Sequence, residues 1–175
     1  MIDLNEKRQE IIDVATQLFE KFINMPKDLR PDDKKRTGIR VVAWEPDTRN
    51  LAMVSIKYPS EASQFFAVEK AVRSVTNFHA SSENSADENC MMFAGSVSVQ
   101  MNEITGFENA KDSQLLVVST SGLKAEEDVA VSLMVISKLI GLSVLDVCKN
   151  IDDNDGVLPE WYYDEDKSYL QFLFE

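Results

Sequence analysis

The sequence predicts an α+β fold, an antiparallel sheet flanked by helices in a single domain spanning residues 1–175. Three observations lead there. Two apolar and β-branched runs, Gly38 to Trp44 and Leu51 to Tyr58, are separated only by Glu45-Pro46-Asp47-Thr48-Arg49-Asn50. Proline, Asp and Asn supply turn chemistry, so the natural pairing is an antiparallel hairpin. Apolar residues at spacings of three and four both precede and follow that hairpin, the mark of helices with one buried face. Leu115 to Val118, a short apolar run, then leads through Ser119-Thr120-Ser121-Gly122 into a third helical segment. Sequential antiparallel strands covered by helices form a layered α+β structure.

In order, the first element is an amphipathic helix from Leu4 to Ile23, with Leu4, Ile11, Ile12, Ala15, Leu18, Phe19, Phe22 and Ile23 as its apolar set. Asp3 or Asn5 caps it and Pro26 closes the segment. Residues 26–37 hold two prolines and Lys34-Lys35-Arg36, read as a solvated connection. After the hairpin, Pro59 and Ser60 end the second strand. A helix from Ala62 to about Phe78 follows, its apolar side carrying Phe65 or Phe66, Val68, Ala71, Val72 and Val75. Ala80 to Asn89 is polar enough to be an exposed loop.

Phe93 to Val99, interrupted by Gly95, is a third strand, and the polar stretch from Gln100 to Asp112 holds a turn or an irregular edge. The strand Leu115 to Val118 stops at the small polar residues Ser119-Thr120-Ser121 and Gly122. Glu126, Glu127 and Asp128 then open the clearest helix of the chain, residues 125–140, where acids suit the positive end of the helix dipole. Gly141 stands where a left-handed stop belongs. Ser143 and Asp146 suit the capping box of a further short helix. The aromatic cluster Trp161, Tyr162 and Tyr163 either covers an end of the core or meets a partner. Tyr169 to Phe174 reads as an edge strand. No repeat or linker divides the chain.

Composition removes several function classes. A net charge of −12 and an isoelectric point near 4.5 argue against general binding to nucleic acid or anionic membrane, both of which require basic surface. No apolar run approaches a bilayer span, and the N-terminal residues lack a basic region followed by an apolar core, so the expected location is the cytoplasm. Cys90 and Cys148 lack metal-ligand spacing, and two free thiols in a reducing compartment is the simplest reading. His79 is the only histidine, so any Ser/His/Asp triad must use it and no multi-histidine metal site exists. The acidic run Asp152-Asp153-Asn154-Asp155-Gly156 fails the calcium-loop spacing, since Ile151 and Tyr162 fall at the first and last ligand positions.

The strand, glycine turn and acidic helix start over 115–128 place backbone N–H groups at a sheet end, a junction able to hold an anion. Three carboxylates compete for that same end, which makes phosphate a poor candidate. Lys70 sits mid-helix among apolar residues.

Three segments resemble the GlcG/HbpS-type haem-binding family, which includes the C-terminal domain of PduO-type corrinoid adenosyltransferases. Ile39-Arg40-Val41-Val42-Ala43-Trp44 through Ser60, with Ala67-Val68-Glu69-Lys70-Ala71, is similar to its hairpin and Lys-Ala helix motif. Phe93-Ala94-Gly95-Ser96-Val97 is similar to its Gly-Gly-x-Pro segment, with Ser96 and Ser98 where that family often has glycine and proline. Val117 to Gly122 with Glu126-Glu127-Asp128-Val129-Ala130 is similar to its Gly-Val-Ser-Gly turn and acidic helix start. The resemblance covers roughly 38–141 and leaves 142–175 as an appendage.

The resemblance implies a profilin-like layer fold, homo-oligomers, and a site formed by Lys70, Gly95, Ser119, Thr120, Ser121 and Gly122. The implied ligand is haem, another tetrapyrrole or a small organic anion, with His79 the candidate axial ligand. Beside these stand plainer readings. Lys70 could equally snorkel along the helix flank, His79 suits a helix end as a surface residue, and small polar residues occur in any tight turn. The expected function is non-enzymatic binding of a small molecule. The alternatives are a structural or adaptor protein acting through self-assembly or a protein partner, and an enzyme using Lys70 as base or Schiff-base nucleophile. Phe66 and Val68 beside Phe65 and Val72 give the 62–78 helix more apolar surface than one packed face needs, which also predicts a homodimer or larger.

Overall fold

The computed structural model describes residues 2–77, 95–104, 106–111, 114–151 and 158–175. Helix α1 spans Arg8–Ile23 and buries Ile11, Val14, Ala15, Leu18, Phe19 and Phe22 at the expected spacing. It begins a turn later than the apolar pattern predicts. The Asp3 carboxylate accepts the amides of Asn5 and Glu6 at 2.9 and 3.1 Å, so it caps a separate turn ahead of the helix.

Strands β1 (Gly38–Glu45) and β2 (Asn50–Lys57) form the predicted antiparallel hairpin, with Val41 opposite Val54 and Glu45 opposite Asn50. Strands β3 (Ser96–Gln100) and β4 (Leu115–Ser121) complete a four-stranded sheet of order β2-β1-β4-β3, every neighbour antiparallel. The architecture is α+β. Helices α2 (Glu61–Asn77), α3 (Ala125–Ile140) and α4 (Val144–Lys149) follow in chain order around the strands.

Alternation along the strands sorts the layers. Ile39, Val41, Ala43, Val54, Ile56, Val97, Val99, Leu116 and Val118 face α1 and α3 in the main core. Val42, Leu115 and Val117 face α2 in a smaller cluster with Ala67 and Ala71. Because β4 lies between neighbours and under helices on both faces, all seven of its residues are buried. Each large aliphatic side chain so covered contributes about 1.5–3 kcal/mol of transfer free energy.

Two expectations are corrected. The packed face of α2 is Ala67, Lys70, Ala71 and Ser74, whereas Phe65, Val68 and Val72 are exposed. Small residues let the helix backbone approach the sheet, and hydrophobicity alone does not register that advantage. Second, Tyr169 to Phe174 is not a strand; it belongs to a 3₁₀ stretch, Glu165–Phe174. Leu170 and Leu173, three apart, are the pair it buries, and the ring of Phe22 receives Tyr169 edge-on at 6.3 Å.

The remaining helical signals match. Helix α3 occupies the predicted residues and stops at Gly141, whose φ of 75° is the left-handed value. The Ser143 hydroxyl accepts the Asp146 amide at 3.1 Å at the start of α4. The chain after Gly141 joins the main core through Val144, Val147, Cys148, Ile151, Leu170 and Leu173. Trp161 and Tyr162 pack on Phe174, while Tyr163 is exposed. His79, Cys90 and the acidic run 152–156 lie outside the described residues. Among the described residues no helix is long and apolar enough to cross a membrane.

Candidate functional site

The C-terminal end of β4 brings buried polar and charged side chains to the edge of a cleft. The strand does not stop at Val118; it continues through Ser119, Thr120 and Ser121, and the hydroxyls of Ser119 and Thr120 find partners inside the layers. Ser119 Oγ donates to the Ala67 carbonyl of α2 at 2.7 Å. Thr120 Oγ1 lies 2.9 Å from Ser132 Oγ of α3, and Ser132 Oγ donates to the Gly95 carbonyl at 2.6 Å. Both strand hydroxyls therefore hold a helix to a face of the sheet.

Lys70 crosses between those layers. Its stem leaves the packed face of α2, and its ammonium donates to the Thr120 carbonyl at 3.1 Å and to Asp128 Oδ2 of α3 at 3.3 Å. The lysine and the aspartate are each less than a tenth exposed. Asp128 Oδ1 accepts the Leu123 amide at 3.0 Å, and the Glu127 carboxylate accepts the Lys124 amide at 3.2 Å. Two N–H groups at the helix start are thus occupied by the helix's own acids, as the competition between carboxylates and a bound phosphate anticipates. Burial pushes the Asp128 carboxyl up to about 6, against the downward pull of the Lys70 charge and the Leu123 amide.

Gly95 makes the crossing sterically feasible. A Cβ there would lie 2.4 Å from the Thr120 carbonyl oxygen and 2.6 Å from Lys70 Nζ. Gly122 is similarly confined, since a Cβ would stand 2.4 Å from the Gly38 carbonyl oxygen. Neither position has room for a side chain.

Beside the pair lies a cleft of about 180 Å³ lined by Ala62, Ser63, Phe66, Lys70, Ser121, Gly122, Leu123, Ala125, Asp128 and Arg36. At about 30 Å³ per water it has space for roughly six waters. Its chemistry is mixed: two cations, one carboxylate, two hydroxyls, and an apolar wall from Phe66, Leu123, Ala62 and Ala125. The sequence places Arg36 in a solvated loop; the structure instead draws it over the β4–α3 turn. Its Nη1 donates to the Leu123 carbonyl at 2.8 Å and its Nε to Asp32 Oδ2 at 2.8 Å.

Behind the cleft, a second buried network braces the same helix start. Arg30 grips Glu127 with two bonds of 2.5 and 2.7 Å and reaches Asp32 at 3.0 Å. Tyr169 donates to Glu127 Oε1 at 2.9 Å. Burial, reinforced by the Glu127 charge, pushes the Tyr169 hydroxyl pKa up, so it stays a donor. One carboxylate thereby joins the loop before β1, helix α3 and the C-terminal segment.

Of the six residues assigned to the site from sequence, Lys70, Ser121 and Gly122 line the cleft and Gly95 sits against Lys70 Nζ. Ser119 and Thr120 do not line it. Asp128 and Arg36, which the sequence does not assign to a site, also line the cleft. The signal for Asp128 was present: a lysine among apolar residues needs an acid on a facing element, and three acids open α3. Arg36 has no such signal, because its loop has no periodicity. Among the described residues no cluster of His, Cys, Asp or Glu is arranged to hold a metal ion. Cys148 is buried, and burial pushes its thiol up to about 12.

No family model and no curated protein matches the chain. A solved structure, a crystal structure of a PduOC:heme complex, matches with 14% identity and a TM-score of 0.49 over 77% of this chain and 90% of that one. At that similarity the match carries nothing about ligands or residue roles to this chain.

Proposed function

We propose that the chain is a non-enzymatic small-molecule-binding protein and that its ligand is a small organic anion seated in the cleft beside Lys70. The observation that supports this most is that two cations, Arg36 and Lys70, line the cleft, each beside a carboxylate, Asp32 and Asp128 respectively, on a chain whose net charge is −12. An anion there meets cationic donors and the Ser121 hydroxyl, while Phe66 and Leu123 offer an apolar wall to its carbon skeleton. Haem suits this cleft poorly. Its volume of about 180 Å³ lies below the 300–1,000 Å³ usual for ligand sites. Haem would need a larger site than this cleft.

The test is a binding panel. Small carboxylates and haem are titrated separately into wild type and into a Lys70→Met, Ser121→Ala double variant. Saturable carboxylate binding that the double variant loses supports the reading. A saturable Soret shift unaffected by those substitutions moves the function to haem at another place. No carboxylate binding to wild type removes the cleft as a site.

A second reading concerns assembly. Phe65, Val68 and Val72 form an exposed stripe on α2, and Leu51 and Met53 are exposed on β2. Met53 stands opposite Val42 and Leu51 opposite Trp44, which puts them on the face of the sheet that α2 covers. We propose that this apolar area joins two copies into a homodimer or larger assembly, which sedimentation tests.

A further inference from the structure

The acceptors of the Lys70 ammonium include the Thr120 carbonyl at 3.1 Å and Asp128 Oδ2 at 3.3 Å. The second is long for a charge-assisted bond, which is usually 2.7–2.9 Å. The other oxygen of Asp128 is engaged at 3.0 Å by the Leu123 amide, which accounts for the side chain's placement without help from the lysine. Both charged groups border the cleft. A carboxylate entering it would therefore approach an ammonium already facing a buried carboxylate. Two anions within reach of one buried cation repel, and the less solvated one is relieved by a proton.

The charges around Asp128 make it the group that yields. Helix α2 presents Lys70, and the loop before β1 presents Arg36, which is shared with Asp32. From its own helix comes Glu127, whose charge raises the Asp128 pKa and is itself gripped by Arg30. From β4 come only the Thr120 carbonyl and the uncharged Ser121 hydroxyl. Asp128 already sits at about 6 before any ligand arrives, close enough to neutral pH for a second anion to complete its protonation.

We infer that the cleft takes up a carboxylate together with one proton: the ligand's carboxylate replaces Asp128 as the anion on Lys70, and Asp128 becomes a neutral acid still held by the Leu123 amide. The inference rests on the proposed anion-binding role and adds its regulation and ligand class, a small monocarboxylate whose affinity falls as pH rises. The proton comes from solvent and lodges on the Asp128 carboxyl; no covalent bond to the ligand forms.

Acetate and benzoate serve as probes, titrated calorimetrically into the full chain. Above about pH 6 the Kd is expected to rise about tenfold per pH unit, so roughly a hundredfold by about pH 8. At neutral pH the binding heat in two buffers of different ionisation enthalpy is expected to differ by one proton taken up per ligand. Asp128→Asn, which keeps an oxygen for the Leu123 amide, is expected to bind with a pH-independent Kd. Wild-type binding that is flat with pH and releases or takes up no proton overturns the inference and leaves the cleft standing as an anion site. Absence of binding to wild type at every pH overturns both. The two-buffer measurement needs no variant, so it decides the matter even where Asp128→Asn fails to fold.

Discussion

Replacing Lys70 by methionine separates the electrostatic role of the lysine from its packing, because methionine keeps most of the stem. In the wild type, the Asp128 carboxyl moves from an ordinary 3.8 to about 6 on folding. The folded state therefore binds the proton more tightly than the unfolded chain. Stability from this group is highest below about pH 4 and declines by roughly 3 kcal/mol as pH rises to about 6, where the decline stops. Lysine is what halts it, since its charge is the largest of the influences holding the carboxyl down. Without it, Asp128 stays protonated to higher pH and the decline continues. At about pH 7.5 that adds about 2 kcal/mol to the substitution's effect. The lost ammonium bonds, including the one to the Thr120 carbonyl, add about 1–3 kcal/mol at any pH. Lys70→Met is thus expected to destabilise by about 3–5 kcal/mol near pH 7.5 but only about 1–3 kcal/mol near pH 5. Urea melts at the two pH values measure it. An equal loss at both, or a greater one at pH 5, would refute the reasoning that Asp128 is buried, raised and restrained by Lys70.

Other expectations follow from single contacts. Glu127→Ala strands the buried Arg30 and the Tyr169 hydroxyl, and thermal or urea unfolding should show a loss of about 3–5 kcal/mol; a loss below 1 kcal/mol would mean that Asp32 alone suffices for Arg30. Gly95→Ala pushes a methyl against a strand carbonyl and Lys70 Nζ, so a loss of about 1–3 kcal/mol is expected together with weaker carboxylate binding. Cys148, buried with its thiol at about 12, should resist alkylation in the native protein near pH 8 and react on unfolding, as mass mapping of its peptide would show. Val68→Glu places a charge in the exposed α2 stripe, and sedimentation at micromolar concentration should show wild-type assemblies reduced to a 19.8 kDa monomer; a monomeric wild type ends the assembly reading.

The legible parts of the fold were those where one local signal sufficed. The hairpin followed from turn residues between two β-branched runs, and α3 followed from its acids, its periodicity and Gly141. The packed face of α2 was illegible because close approach to the sheet favours Ala67, Ala71 and Ser74 over the more hydrophobic Phe65, Val68 and Val72. Residues 169–174 alternate loosely enough for either a strand or a helical turn, and only burial of Leu170 with Leu173 distinguishes them. At the cleft, the sequence singles out Lys70 and Gly95 but carries no sign of their contact: the glycine leaves space for an ammonium crossing from α2 to Asp128. Ser119 and Thr120 looked like turn donors because hydroxyls are common in turns, yet a buried strand uses them equally well when facing helices supply acceptors. Pairings across fifty or more positions, such as Lys70 with Asp128 and Arg30 with Glu127, leave no local trace.

Amide chemical-shift mapping with acetate near pH 5.5 tests the anion-binding cleft most directly, because it reports affinity and location together. Saturable shifts at Ser121, Gly122, Leu123 and Gly95, all following one Kd and lost in Lys70→Met, are the expected result. Shifts that never saturate, or that saturate elsewhere, as in the hollow between α4 and Leu173, would contradict it.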